Sequence, residues 1–248
     1  MWNKPHLLNA LADLLLLAAV AAVLAAALVW VARVPAWPVK RVDFAEPLVN
    51  TRREEVEQVL RPALKGNFFS INLEAARGAL ERLPWVRQAQ VRRVWPAGLE
   101  VRIEEQQAVA RWGEGKNELV NRYGEVFAAV AAPERLAALP LLYGPPGTAS
   151  EVLAFHGELS ARFAAVGEQP AQVLLTPRLA WQLKLASGLT LRMGREQPKA
   201  SVSARLQRFI EVWPQVVGPL ARRPEMIDLR YPNGFAMRLA GAGKGTKP

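Results

Sequence analysis

The sequence predicts an α+β protein carried on a membrane anchor: one transmembrane helix, a small β-α-α-β-β domain, and a second α+β domain with an extended, mostly antiparallel sheet. Three observations carry this reading. From Leu14 to Ala32 there are nineteen residues without a polar side chain. After residue 37 strand and helix patterns occur in the order strand, helix, helix, strand, strand. From about residue 108 hairpin signals recur around two further amphipathic helices. The boundaries expected are a cytoplasmic tail over 1–13, a transmembrane helix over 14–34, domains over 37–107 and 108–240, and an unfolded tail over 241–248.

A helix rises about 1.5 Å per residue, so the apolar run spans about 28 Å, close to the thickness of a hydrocarbon core. Trp30 and Trp37 lie at one end, where indole rings favour the lipid–water boundary. A cleaved signal peptide has a shorter apolar region and a small-residue cleavage site, whereas this run leads into Arg-Val-Pro-Ala-Trp-Pro. Ala18, Ala22 and Ala26 share one face at a spacing that permits close approach of a second helix. Charge leaves the orientation open. Lys4 precedes the run while Arg33, Lys40 and Arg41 follow it, and long domains translocate largely regardless of such counts.

In the first domain Val39–Phe44 alternates as a strand. Thr51 and Glu54 have the spacing of a capping box ahead of Val56, Val59, Leu60 and Leu64. Asn72 is an expected N-cap for a second helix that turns Leu73, Ala76, Leu80 and Leu83 inward and stops at Pro84. Trp95-Pro96-Ala97-Gly98 reads as a turn, and Leu99, Val101 and Ile103 alternate with Glu100, Arg102 and Glu104. Three strands with both helices on one face are the economical packing of these elements. In the second domain strands are expected at 118–121, 126–127, 181–185, 189–193, 227–231 and 235–239. Helices are expected at about 149–166 and 199–217. The last eight residues are too polar and glycine-rich to fold.

The composition narrows the chemistry. The chain has no cysteine, which excludes disulfides and thiolate sites. The net charge is +10, but the basic residues stand in scattered pairs such as Arg52–Arg53 and Arg222–Arg223 rather than in a block, which argues against nucleic acid. The two histidines, His6 and His156, are far apart in sequence, and His156 is expected on a helix surface or in packing. Glu54–Glu55 and Glu104–Glu105 read as surface charges, and Trp112 and Trp181 as packing residues. Gly144-Pro145-Pro146-Gly147 lacks the amide donors and the lysine of a phosphate loop. No catalytic, cofactor or metal residues are assigned, and an enzyme is not expected.

The order of elements resembles the POTRA module. Arg82–Trp112, RLPWVRQAQVRRVWPAGLEVRIEEQQAVARW, is similar to the corresponding part of the FtsQ/DivIB family of bacterial cell-division proteins. LPLLYGPPG, WQLKLASGLTLRMGR, RFIEVWP and IDLRYPNG then follow in the order of that family. The resemblance implies a single-pass inner-membrane scaffold with a cytoplasmic N-terminus and periplasmic domains, concentrated at the division septum. Its implied partners are FtsB and FtsL, other divisome membrane proteins, and the bilayer through 14–34, with no cofactor, nucleic acid or small-molecule substrate. Family binding positions fall on Arg178, Arg230 and Tyr231, and the partner is expected to add along an edge running through Asn233, Gly234, Phe235, Ala236 and Met237. Two features depart from the family pattern: Pro232 has no amide to donate, and Phe235 is bulkier than the small residue expected. The alternatives are a POTRA-bearing assembly or secretion factor, and a membrane-anchored wall enzyme, which would require a nucleophile or a metal constellation.

Overall fold

The computed structural model describes residues 5–33, 38–115, 117–198, 200–220, 224–231 and 234–239. Trp37, Pro232, Asn233 and the 241–248 tail therefore lie outside the described residues. The chain divides into two compact units, residues 1–106 and 107–248.

Helix α1 runs from Pro5 to Arg33, nine residues further toward the N-terminus than the apolar run alone suggests. Its Asn9–Ala27 stretch has a mean hydropathy of 2.4 and is long and apolar enough to cross a membrane. Leu14, Leu17 and Val23 are exposed by 66%, 72% and 68%. Such a continuous apolar surface is stable in lipid and costly in water.

The rest of the first unit is β1 (Arg41–Phe44), α2 (Arg53–Leu60), α3 (Leu73–Leu80), β2 (Val86–Val94) and β3 (Gly98–Glu105), with sheet order β1-β3-β2. β1 is parallel to β3 and β2 antiparallel to it. Val56 and Leu60 of α2 and Ala76 and Leu80 of α3 bury one stripe of each helix against Val86, Ala89, Val101 and Ile103. Asn72 caps α3 as expected, its side chain accepting from the Ala75 amide at 3.0 Å.

Helix α2 departs from the capping-box expectation. Its N-cap is Arg52, which makes no side-chain cap hydrogen bond, and Thr51 is buried one residue outside it. The reason is Glu105. Its carboxylate accepts from the amides of Val49, Asn50 and Thr51 at 2.7–3.0 Å, which fixes the chain ahead of the helix. The reading of Glu105 as a surface charge is thereby corrected. Burial pushes this carboxyl up, but the hydrogen bonds from the 49–51 segment outweigh it and leave it below the ordinary carboxylate range. A group lowered in this way contributes stability above its unfolded value, and that contribution is lost as pH falls through the folded value. Glu105→Gln is therefore expected to destabilise the first unit by about 1–2 kcal/mol at neutral pH, with the difference closing as pH falls below the ordinary glutamate value of about 4.3 through the lowered folded one. Hydrogen exchange of the 49–60 amides against pH checks this.

The second unit is built on one mixed sheet of nine strands. In chain order the elements are β4 (Ala108–Trp112), β5 (Glu118–Asn121), β6 (Val126–Ala128), α4 (Pro133–Ala138), β7 (Leu141–Tyr143), α5 (Ala149–Ala164), β8 (Pro170–Leu175), β9 (Ala180–Leu185), β10 (Thr190–Arg195), α6 (Val202–Val216), β11 (Pro224–Asp228) and β12 (Ala236–Leu239). The sheet order is β12-β11-β10-β9-β8-β7-β4-β5-β6. Five neighbouring pairs are antiparallel and three, β4–β7, β7–β8 and β10–β11, are parallel. Phe163 of α5 and Phe209 and Trp213 of α6 pack with Trp112, Trp181, Leu183 and Leu191 in a single core. The expected strand over 227–231 ends at Asp228, and the expected strand over 235–239 begins at Ala236. At the end of β11 the Arg230 amide turns back onto the Asp228 carboxylate at 3.1 Å.

Candidate partner-binding edge

β12 is the last strand of the sheet. It pairs with β11 through Asp228↔Ala236, Ile227↔Met237 and Met226↔Arg238, and its outer side pairs with no strand among the described residues. Phe235 and Met237 turn toward the core, Phe235 meeting the Phe209 ring edge-on at 5.4 Å. Gly234, Ala236 and Arg238 are exposed. An edge of this kind presents unpaired amides and carbonyls to a second chain.

The pairing directions gather the sequence-predicted residues at one end of the sheet. β10 runs parallel to β11 and antiparallel to β9, so the end of β10, the end of β11 and the start of β9 coincide. β12 starts at that same end. Arg178, in the tight turn before β9, therefore shares the end with Arg230 and Tyr231 after β11 and with Gly234, Phe235 and Ala236 entering β12. Adjacent strands lie about 4.8 Å apart, so roughly 10 Å of sheet width separates the β9 and β11 positions. Arg178 is exposed, in a turn closed by the Leu179 amide on the Thr176 carbonyl, with Leu179 in the left-handed region at φ +56. Asn233 is the one predicted site residue outside the described residues.

Arg230 is held rather than free. Its Nε donates to Asp228 Oδ1 at 2.8 Å and its Nη2 to Oδ2 at 2.6 Å, and this side-chain bond keeps the Asp228 carboxyl below its ordinary range. The stem of Arg230 lies on Gly194, which occupies a β-bulge of β10 with φ +75; a Cβ at Gly194 would come within 2.8 Å of Arg230 Cγ. Side chains are excluded there on both counts. Tyr231 is 53% exposed. Between α6 and residues 229, 231 and 235 lies a cavity of about 160 Å³, walled by Arg205, Phe209, Val212, Leu229, Tyr231 and Phe235. Metabolite pockets are typically about 300–1,000 Å³, so this one is sized for a single side chain. Sequence reasoning does not reach Gly194, Arg205 or Phe209 as site residues. Only the amphipathic period of α6 points to Phe209, and only as core.

A second cavity, of about 680 Å³, lies at the opposite end of the sheet, lined by Arg111, Pro140, His156, Ser160, Glu168 and Gln169 among others. His156 Nε2 is 3.3 Å from the Pro170 carbonyl, and Ser160 Oγ donates to the His156 carbonyl, so the hydroxyl is not aimed at the imidazole as a nucleophile would be. Among the described residues there is no group of three or more His, Cys, Asp or Glu placed to hold a metal ion. Burial pushes the His156 imidazole below its ordinary value of about 6.5, although its bond to Pro170 acts the other way. The unfolded chain therefore takes up the proton first. Stability of the second unit is expected to be full above about pH 6.5 and to decline as pH falls from there through the folded-state value. His156→Gln should flatten that slope in thermal melts between pH 7 and 5.

The comparisons with known proteins agree over both units. Residues 37–106 match the family model for the POTRA domain, FtsQ-type, and residues 110–230 match that for the cell division protein FtsQ/DivIB, C-terminal. The chain is 38% identical over 241 residues to the cell division protein FtsQ of Burkholderia pseudomallei, covering 97% of this chain and 95% of that one. It is 39% identical to the FtsQ of Bordetella pertussis, covering 97% and 93% of the two chains. The chain belongs to the FtsQ/DivIB family of cell-division proteins. The FtsQ of Neisseria gonorrhoeae is 31% identical over 98% of this chain and 97% of its own, so a match along almost the whole length persists at lower identity. The FtsQ family consists of membrane divisome scaffolds rather than enzymes. The apolar α1 and the FtsQ-type POTRA domain fit that description.

Proposed function

We propose that the chain is a non-catalytic divisome scaffold whose second domain binds the FtsB–FtsL subcomplex through the β12 edge. In this reading a strand of the partner adds to the outer side of β12, its backbone supplying affinity and its side chains the register. Arg230, already clamped on Asp228, offers its remaining donors to a partner carboxylate in a fixed orientation, and Arg178 offers a second cation across the sheet end. Tyr231 supplies a rigid ring beside the small cavity, which takes one partner side chain. Through that contact the protein links early cytoplasmic with late periplasmic division proteins and regulates septal wall synthesis. The N-terminus is cytoplasmic and both domains are periplasmic, at the septum. The basic residues after α1 run against the usual charge rule, and the size of the translocated domains outweighs them.

The observation that carries this reading is the convergence of Arg178, Arg230, Tyr231 and the start of β12 at one end of the sheet, beside an edge that is unpaired among the described residues. The test is binding of the full chain in detergent to the purified FtsB–FtsL subcomplex. Tyr231→Ala should weaken binding about thirtyfold or more, corresponding to about 2 kcal/mol or more, the usual threshold for a hot spot. Because Tyr231 is half exposed, hydrogen exchange in β10 and α6 should be unchanged. Equal affinity of a folded Tyr231→Ala variant would remove the assignment of this edge.

A further inference from the structure

The POTRA domain has two unlike ends, and one of them is aromatic and basic. β1 pairs Arg41 with Gly98, and the Lys40 amide donates to the Ala97 carbonyl at 2.9 Å, so the entry to β1 adjoins the β2–β3 hairpin turn. The connection between α2 and α3 lies at the same end. Arg93, near the tip of β2, donates to the carbonyls of Phe68, Phe69 and Ile71 at 2.7–3.1 Å and ties that connection to the hairpin. The clamp presents two large rings outward: Trp95 is 68% exposed and Phe69 48%. Phe68, buried between them, meets both edge-on at 6.2 and 5.2 Å. The rings are thus held in place by a packed neighbour and a clamped backbone.

The charge left without an ion-pair partner at this end is positive. Arg41 and Arg92 are offset by Asp43 at 2.6 Å and Glu100 at 2.7 Å, and Glu74 at the start of α3 is offset by Arg77. Lys40, Arg61 and Lys65 are exposed, with no carboxylate in ion-pair reach among the described residues. Four further carboxylates lie at the other end, where Glu54 and Glu55 open α2 and Glu104 and Glu105 close β3. The aromatic, basic end is also the end that continues into the anchor. Only seven residues, 34–40, separate α1 from β1, and they reach about 25 Å when fully extended.

From this geometry we infer that the hairpin end of the POTRA domain rests on an anionic phospholipid surface, with Trp95 and Phe69 at the headgroup boundary and Lys40, Arg61 and Lys65 on lipid phosphates. Indole rings favour that boundary, and basic residues within a Debye length of about 8 Å feel the negative surface potential. A short tether confines the domain near the bilayer, so a modest patch is enough to orient it. The contact sets which way the module faces and keeps its acidic end turned away from the membrane. The inference rests on α1 being membrane-embedded, and the experiment separates the two claims.

The chain has no cysteine, so single labels are unambiguous. Ala97→Cys reports on the hairpin, Val49→Cys on the opposite end and Leu17→Cys on α1. Each full-length variant carries one fluorophore and is reconstituted into phosphatidylcholine vesicles with or without phosphatidylglycerol, with nitroxide lipids as quenchers. In the anionic vesicles the Ala97 label should be quenched about twofold or more beyond the Val49 label, and high salt or the pair Lys40→Glu and Lys65→Glu should remove the difference. Hydrogen exchange in α3 and β2 verifies that the charge-reversed chain is folded. Equal quenching at Ala97 and Val49, with Leu17 strongly quenched, would overturn the lipid contact and leave the patch to a protein. An excess that persists through high salt and charge reversal would overturn the phosphate assignment. An unquenched Leu17 label would overturn the anchor, and this inference with it.

Discussion

Phe209→Ala is expected to destabilise the second unit by about 3–5 kcal/mol, the range found for removing a buried phenyl ring that its surroundings cannot refill. Phe209 is 1% exposed and lies in α6 with its ring edge-on to Trp213 at 5.3 Å and to Phe235 at 5.4 Å. Each such aromatic pair adds about 0.5–1.5 kcal/mol beyond the area buried. Neither neighbour is free to collapse into the void: Trp213 is fixed against Phe163 at 6.0 Å, and Phe235 is carried by the entry to β12. Phe209 also forms a wall of the small cavity beside Tyr231, so the variant should lose partner affinity together with stability. Phe209→Leu separates the two effects. It restores most of the volume and should recover most of the stability, while the edge-on contact that seats Phe235 remains lost. Hydrogen exchange in α6 and β12 measures the first effect, and binding of the FtsB–FtsL subcomplex the second.

The features that can be read from the sequence are those written in local periodicity. α2, α3, α5 and α6 each carry an apolar stripe at helical spacing, and β9 and β10 alternate on either side of Ala186-Ser187-Gly188. β7 and β8 escape such a reading because neither shows a clean alternation of apolar and polar residues. Leu141–Tyr143 reads as a three-residue apolar run, and β8 opens on Pro170, a residue tolerated at a strand's first position but no signal for one. α4, six residues without a buried side chain, has no stripe to find. The candidate edge follows from family motifs, not from physics. Nothing in the spacing of Arg178 and Arg230 says that a parallel β10–β11 pair brings them to one end of a sheet. Glu105, which serves amides more than fifty positions away, is invisible to local patterns for the same reason.

Arg205, whose partners lie within a dozen positions, is equally hidden from a periodicity reading. It is 3% exposed, and its guanidinium donates to the carbonyls of Met193 and Arg195 at 2.8 Å and to that of Ala200. Met193 and Arg195 flank Gly194, so these two bonds grip the β10 bulge from both sides. The bulge in turn supports the stem of Arg230. A buried cation of this kind contributes little net stability by its charge, but removing it leaves several carbonyls unsatisfied, which is where the cost arises. Arg205→Met fills much of the same volume and offers no donor, and is expected to cost about 2–5 kcal/mol. Arg205→Lys should be intermediate, since one ammonium on a flexible stem cannot reproduce a planar fork across three carbonyls. Because the bulge would relax, Arg230 should lose its fixed orientation on Asp228, and affinity for the partner should fall even at temperatures where the unit stays folded. Amide exchange at residues 193–195 beside the binding constant tests this directly. Local protection lost together with affinity would tie the bulge to the edge, whereas affinity retained through a loosened bulge would mean that Arg230 does not depend on Gly194 for its placement.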